Sequence, residues 1–403
     1  MFPGNASVRT LYIHVPFCSH KCHYCDFYSL VDTRDRREAF TSRLCRELRA
    51  LAPMAVGAPI ETIFVGGGTP TLLTPAQWRM ILATLHEVYD CSGMDRSDQS
   101  ACEFTVECNP ETAGTELFDV LRAGGVNRLS FGAQSFDRGH LAMLERRHDP
   151  DSVPRAIELA RRAGILRLSL DLIHSIPGQT LESWRMDLDR VISLHPEHVS
   201  CYNLTYEPNT AMTARLKRGE FEPAAEELEI DMMREAWSRL AARGYQRYEI
   251  SNFAKSGEAC RHNMVYWRCG QWLAAGPSAS GHVAGHRWKN APRLDDYLRL
   301  DDEGFAPIVD HEAPDARRAL RELVWLGLRL TEGIDGDAVV SQVEELEGRT
   351  RHSDPSRGVR VRSVVAGLEA RGLVRIESGR WILTDDGILL ADGIASDLMA
   401  VIG

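Results

Sequence analysis

Short β-branched runs alternate with amphipathic helical stretches over residues 1–245, and this alternation constrains the chain more than any other feature. Strand-like runs fall at 11–15, 62–65, 104–107, 128–132, 167–173 and 199–205. Helical stretches accompany them at 37–52, 75–89, 115–123, 153–163, 181–194 and 226–243. Within 37–52, Phe40, Leu44, Leu48 and Leu51 form the stripe of a helix packed on a sheet. Gly124, Gly125, Gly164 and Gly244 stand where helix C-cap glycines belong. Six βα units in a row predict an α/β fold on a parallel sheet with right-handed crossovers. A curved open barrel, a partial (β/α)6 barrel, is the preferred closure, and a flat doubly wound sheet is the alternative.

The unusual residues collect just after these runs. Cys18, Cys22 and Cys25 follow the first, the glycine run Gly66, Gly67, Gly68 with Thr69, Pro70 and Thr71 the second, and Glu107, Cys108, Asn109 and Pro110 the third. Gln134 and Ser135 follow the fourth, and Asp171 lies near the end of the fifth. The carboxyl ends of the strands are where βα barrels build their chemistry. Each site alone is a weak signal, but five at the same end of five successive strands form a pattern.

The cysteines stand in LYIHVPFCSHKCHYCDF, a C-x3-C-x2-C spacing. Thiolates are soft ligands suited to iron–sulfur clusters or zinc. Three on one loop can hold three irons of a [4Fe–4S] cube and leave the fourth iron open to a small molecule. An electron carrier generally offers four cysteines. Zinc is the alternative: no second cysteine pair follows, but His14, His20 or His23 could complete a tetrahedron.

With 403 residues the chain has room for one large domain and a smaller one. A net charge of −10 argues against a general nucleic-acid binder. No apolar run reaches the roughly twenty residues of a transmembrane segment. The first ten residues, MFPGNASVRT, lack the apolar core of a secretory signal. Ten cysteines scattered along so long a chain then read as reduced thiols in a cytoplasmic protein. Residues 246–305 show little periodicity. Residues 306–403 read as a small helical, winged-helix-like domain, with helices at 317–330, 361–370 and 385–402 and a hairpin over 373–384. Such a domain could bind DNA, but the acidic surroundings favour a docking or lid role.

The glycine run permits close backbone approach and could offer N–H groups to a ligand, or it is only a tight turn. Glu107 could bind ribose hydroxyls or be a surface carboxylate, and Gln134, Arg146 and Asp171 share that ambiguity. An arginine fork suits a carboxylate. His262 opens HNMVYW, at 262–267. A histidine can ligate haem iron, and aromatic neighbours can stack on a macrocycle. The plainer reading is a packed loop.

Together these motifs resemble the radical S-adenosylmethionine (SAM) superfamily. Within it they resemble the haem chaperone (HemW) family, relatives of the oxygen-independent coproporphyrinogen III dehydrogenases (HemN). The resemblance rests on HVPFC-x3-C-x2-C at 14–25, GGGTPT at 66–71, ECNP at 107–110 and SFGAQSF at 130–136. It continues through DLI-x3-PGQT at 171–180, LTYEPNT at 204–210, YEISNFAK at 248–255 and HN-x2-YW at 262–267. It implies that Cys18, Cys22 and Cys25 ligate a [4Fe–4S] cluster whose open iron chelates SAM. In the superfamily an electron from the cluster splits SAM to a deoxyadenosyl radical. It further implies SAM contacts from Tyr12, Gly67, Gly68, Thr69, Glu107, Gln134, Arg146 and Asp171. His262 would contact haem, supported by Tyr266 and Trp267.

The dehydrogenases carry a fourth cysteine two places after the third; Phe27 stands there in this chain. The HN-x2-YW segment also belongs to the chaperone side. The implied function is therefore to bind haem and deliver it to haem-requiring targets such as respiratory enzymes. The implied place is the cytoplasm, with peripheral contact at the inner membrane left open, as is enzymatic activity. The alternative is radical oxidative decarboxylation of coproporphyrinogen. Two departures touch the pocket: His174, Ser175 and Ile176 replace an aromatic-glycine pattern, and Ser280 stands where a histidine is common, with His282 two places on.

Overall fold

The computed structural model describes residues 8–91, 102–299, 304–348, 354 and 356–403. Most of the N-terminal stretch read as lacking a signal lies outside them. Six parallel strands come in sequence: β1 (Thr10–Val15), β2 (Thr62–Gly67), β3 (Glu103–Cys108), β4 (Arg128–Gln134), β5 (Arg167–His174) and β6 (His198–Asn203). The helices among and after them are α1 (Arg37–Leu51), α2 (Pro75–Val88), α3 (Thr115–Ala123), α4 (Arg138–Met143), α5 (Ser152–Arg162), α6 (Leu181–Ser193), α7 (Ala211–Lys217) and α8 (Glu226–Ala241). Thr74 and Thr180 cap α2 and α6 with side chains that accept from the third helical amide.

The large sheet is open. Two short strands, β7 (Gln246–Arg247) and β8 (Asn252–Ala254), join it beyond β6, and β9 (Leu273–Ala275) joins beyond β1. From β6 to β1 the six central strands lie in sequence order without reversal. A doubly wound sheet reverses its strand order at a switch point, so the unbroken order decides for the barrel-like alternative. Right-handed crossovers in one direction put the helices that connect successive strands on one face of the sheet. That face is apolar: Leu11, Ile13, Ile63, Val65, Phe104, Val106, Leu129, Phe131, Leu168, Leu170 and Val199 are all buried in the main core. The alternate positions carry Tyr12, His14, Phe64, Thr105, Glu107, Arg128, Ser130, Ser169 and Asp171, and form the opposite, polar face.

By its contacts the described chain divides into two units. The first holds residues 1–246, 253–262 and 271–312, the second 247–252, 263–270 and 313–403, so the stretch 246–305 contributes to both. Helix α9 (Arg261–Trp267) begins in the first unit and ends in the second. The first unit also holds a three-stranded antiparallel sheet of β10 (Ser280–Val283), β11 (His286–Asn290) and β12 (Ile308–Glu312), with the short helix α10 (Leu294–Tyr297). The second unit has winged-helix order: α11 (Ala316–Gly327), β13 (Ile334–Asp335), α12 (Gly336–Gly348), α13 (Arg357–Ala370), the hairpin β14 (Val374–Glu377) and β15 (Arg380–Leu383), α14 (Asp385–Leu389) and α15 (Ala391–Ile402). Sequence reading misses α12 and β13, and joins α14 to α15, which break at Leu390.

Candidate cofactor site

The loop after β1 closes on itself. Cys18 N–H donates to Leu30 O at 3.0 Å, Leu30 N–H to Pro16 O at 2.8 Å, and Cys25 N–H to Cys22 O at 3.3 Å. The thiols of Cys18, Cys22 and Cys25 are half-buried. Burial raises the Cys18 thiol, and burial with the neighbouring Cys22 and Cys18 pushes Cys25 up to about 11. Three thiols that disfavour each other's charge are stabilised when positive charge is brought among them.

A hydrogen-bonded chain backs two of these sulfurs. Thr69 Oγ1 lies 3.7 Å from Cys18 Sγ and accepts from Asn109 Nδ2 at 3.1 Å. Asn109 Oδ1 accepts from Arg146 Nη2 at 3.0 Å, and Arg146 Nη1 lies 3.7 Å from Cys22 Sγ. Arg146 Nη2 also donates to Gly132 O at 2.7 Å, while neighbouring Arg147 is exposed. Gln134 ends β4 at φ 63°, and a Cβ on Gly132 would fall 2.7 Å from its Nε2.

The glycine run sits where side chains do not fit. A Cβ on Gly66 would lie 2.7 Å from Glu107 Oε2, and one on Gly68 2.6 Å from Phe17 O. Gly67 has φ +102°, and its Cβ would lie 2.3 Å from His14 Cε1. The N–H groups expected to face a ligand are engaged internally: Gly67 donates to Glu107 Oε2 at 3.0 Å, Gly68 to Val15 O at 2.8 Å and Thr69 to Phe17 O at 2.7 Å. The run offers close approach, with these three donors already used.

Glu107 on β3 and Asp171 on β5 are half-buried carboxylates on the polar face, with β4 between their strands. Burial, with the charge of Asp171, pushes Glu107 up to about 7. Asp171 is raised by burial and partly relieved by hydroxyls, accepting from Ser200 at 2.7 Å, Ser130 at 3.0 Å and Ser169 at 3.4 Å. A pair of this kind favours a cationic guest over an anionic one.

Two of the three histidines that could complete a zinc tetrahedron are engaged elsewhere. His14 Nδ1 accepts from Tyr12 Oη at 3.0 Å while Nε2 donates to Tyr28 O at 2.8 Å. His23 Nδ1 meets Arg215 Nη1 at 3.2 Å. Among the described residues no three His, Cys, Asp or Glu converge as the ligands of a single metal ion would. A cube does not ask that of three cysteines, because each sulfur meets a different iron.

Cys18, Cys22, Cys25, Gly67, Gly68, Thr69, Glu107, Gln134 and Arg146 stand at or after the carboxyl ends of their strands, whereas Asp171 lies within β5 and Tyr12 within β1. His262 does not stand at those ends. Its Nδ1 meets Thr62 Oγ1 at 2.9 Å, at the first residue of β2, and its N–H donates to Glu103 Oε1 at 3.0 Å, at the first residue of β3. The ring is 1% exposed, and burial takes its pKa down to about 3. Sequence reasoning missed Asn109 as the link between the sulfurs' neighbours and the serines that hold Asp171. Strand register could have found the serines, since Ser200 pairs with Asp171, and Ser169 with Ser130.

The family model of the radical SAM superfamily matches residues 12–191. The chain is 33% identical over 387 residues to the protein named heme chaperone HemW from Bacillus subtilis (strain 168), covering 96% of this chain and 98% of that one. It is 37% identical over 275 residues to heme chaperone HemW from Escherichia coli (strain K12), covering 68% and 70%. Among solved structures it is similar to Escherichia coli coproporphyrinogen III oxidase (HemN), with TM-score 0.79 and 24% identity over 98% of this chain and 90% of that one. That last likeness is one of fold.

Proposed function

The chain belongs to the radical SAM superfamily and, within it, to the haem chaperone HemW family, and from that premise we propose that it takes up haem and hands it to haem-requiring proteins such as respiratory enzymes. The observation that carries this reading is the 33% identity to a named haem chaperone over 387 residues, nearly the whole of both chains. Phe27 agrees with it. It stands where the dehydrogenase pattern has a further cysteine, and it is 63% exposed.

The superfamily implies a [4Fe–4S] cluster and SAM, and the residues present suit both. Cys18, Cys22 and Cys25 would bind the cluster, with Arg146 beside Cys22 opposing the added negative charge. The cluster and SAM, when bound, supply reductive cleavage of a carbon–sulfur bond. Glu107 and Asp171 would hold the cationic part of SAM, whose sulfonium and ammonium suit two half-buried carboxylates on one face of the sheet. Gly67, Gly68 and Thr69 would let the methionyl portion approach closely, and Tyr12, Gln134 and Arg146 would complete the walls. For haem, His262 with Tyr266 and Trp267 is the proposed contact. The imidazole is enclosed, so the start of α9 must open before iron could reach it.

Coproporphyrinogen dehydrogenation is the second reading, supported by the likeness of fold to HemN. Anaerobic incubation of the cluster-loaded protein with reductant, SAM and coproporphyrinogen separates the two. The chaperone reading expects no protoporphyrinogen, and product at catalytic rates would overturn it. No helix among the described residues is long and apolar enough to cross a membrane. We propose a cytoplasmic location with recipients met at the inner membrane surface.

A further inference from the structure

Three rings lie in a group on the polar face of β1 and β2. His262 stacks on Phe64 at 5.2 Å between centroids and 27° between planes, and Phe64 stacks on Tyr12 at 6.4 Å and 25°. His262 and Tyr12 are 6.5 Å apart. Phe64 reaches the cofactor site directly: a Cβ on Gly66 would fall 2.9 Å from Phe64 Cε1 and 2.7 Å from Glu107 Oε2. Tyr12 Oη in turn donates to His14.

The imidazole is fixed from outside this group. Thr62 Oγ1 meets its Nδ1, and the Glu103 carboxylate accepts from the amides of Arg261 at 3.1 Å and His262 at 3.0 Å. Glu103 is held in its charged form against burial by Arg128 and Arg167. The ring that Phe64 rests on therefore has little freedom to move. A site keeps its geometry when its side chains are locked by packing from behind, and a void behind them lets them tilt.

We infer that His262 is a positioning residue of the SAM pocket, setting Phe64 and through it Tyr12 and the space beside Glu107. This role rests on the proposed reading that Tyr12 and Glu107 contact SAM. It belongs to the ring rather than to its nitrogens, which separates it from any part His262 plays in haem contact.

The test uses the full chain with its cluster reconstituted anaerobically. SAM affinity is measured by calorimetry, and the change in the reduced cluster's EPR spectrum on adding SAM is recorded. His262→Ala should weaken SAM by roughly tenfold, the scale of one aromatic pair, and blunt the EPR change. The double variant Thr62→Val with His262→Phe keeps a ring under Phe64 and removes the Thr62–His262 hydrogen bond from both sides at once. It should bind SAM within about twofold of wild type, with the EPR change restored. Unchanged SAM affinity in His262→Ala would overturn the inference, as would a double variant as weak as the alanine. Should His262→Ala fail to fold, the double variant decides alone by the same twofold criterion. A cluster-loaded wild type with no SAM affinity would overturn the reading of the pocket and this inference with it.

Discussion

Gly67 holds φ +102° with the His14 ring where a methyl group would have to go. Gly67→Ala should cost roughly 1–3 kcal/mol from backbone strain alone, read as a lower urea midpoint at unchanged slope. A stability equal to wild type would mean that the turn does not need glycine. Arg146 makes a different demand, because one planar fork serves Gly132 O, Asn109 Oδ1 and Cys22 Sγ. A lysine keeps the charge and loses the fork. Arg146→Lys should still accept a cluster but lose it to chelator about 10–100-fold faster, the usual effect of removing a group that orients a metal ligand. Loss at the wild-type rate would contradict that role. Neighbouring Arg147 is exposed and makes none of these three contacts.

At the level of elements, α9 is anchored by a charge at the opposite end of β3 from the cofactor site. Glu103 accepts from the first amides of α9 and pairs with Arg167 at 3.2 Å. Removing one partner of a buried pair leaves the other uncompensated. Glu103→Gln should therefore destabilise by about 3–5 kcal/mol and speed amide exchange at Arg261 and His262 first. Equal exchange in both proteins would show that α9 is held by other contacts. The elements themselves were largely legible: all six strands and the long helices lie within a few residues of their periodic patterns, because alternation and amphipathicity are local. Two kinds of element were not. β2 runs on into Gly66 and Gly67 because β1 pairs with it through Val15, a pairing that no local pattern contains. The start of α9 lies in a stretch without periodicity, and its place is set by Glu103, more than 150 residues earlier.

For the whole molecule, the buried histidines set a pH dependence. Burial takes His174 down to about 4 and His262 to about 3, from 6.5. The folded state keeps them neutral while the unfolded chain protonates them below 6.5. Their contributions are thus present above 6.5 and lost as pH falls through about 4 for His174 and about 3 for His262, on the order of 3 and 5 kcal/mol. Urea unfolding of the cluster-free protein should show the midpoint falling across that window, and more shallowly in the double variant that replaces His262. A flat profile would mean that these imidazoles are not enclosed as described.

The gathering of the cysteine loop, the glycine run, Glu107 and Gln134 at one end of the sheet was readable in the sequence, since they follow consecutive strands whose ends a parallel sheet must bring together. A packed loop was the plainer reading of the His262 segment, and the ring is indeed enclosed; the partners that enclose it were not legible, because they lie on three distant strands.

If a cluster-bearing SAM fold serves haem handling here, the protein must hold both groups at once. Haem titration of the anaerobically reconstituted protein, followed by absorption, decides the matter. About four irons per chain and a Soret band that saturates and survives desalting are the expected result. A cluster of that stoichiometry with no saturable haem band would contradict the chaperone function and leave a radical SAM enzyme of another kind.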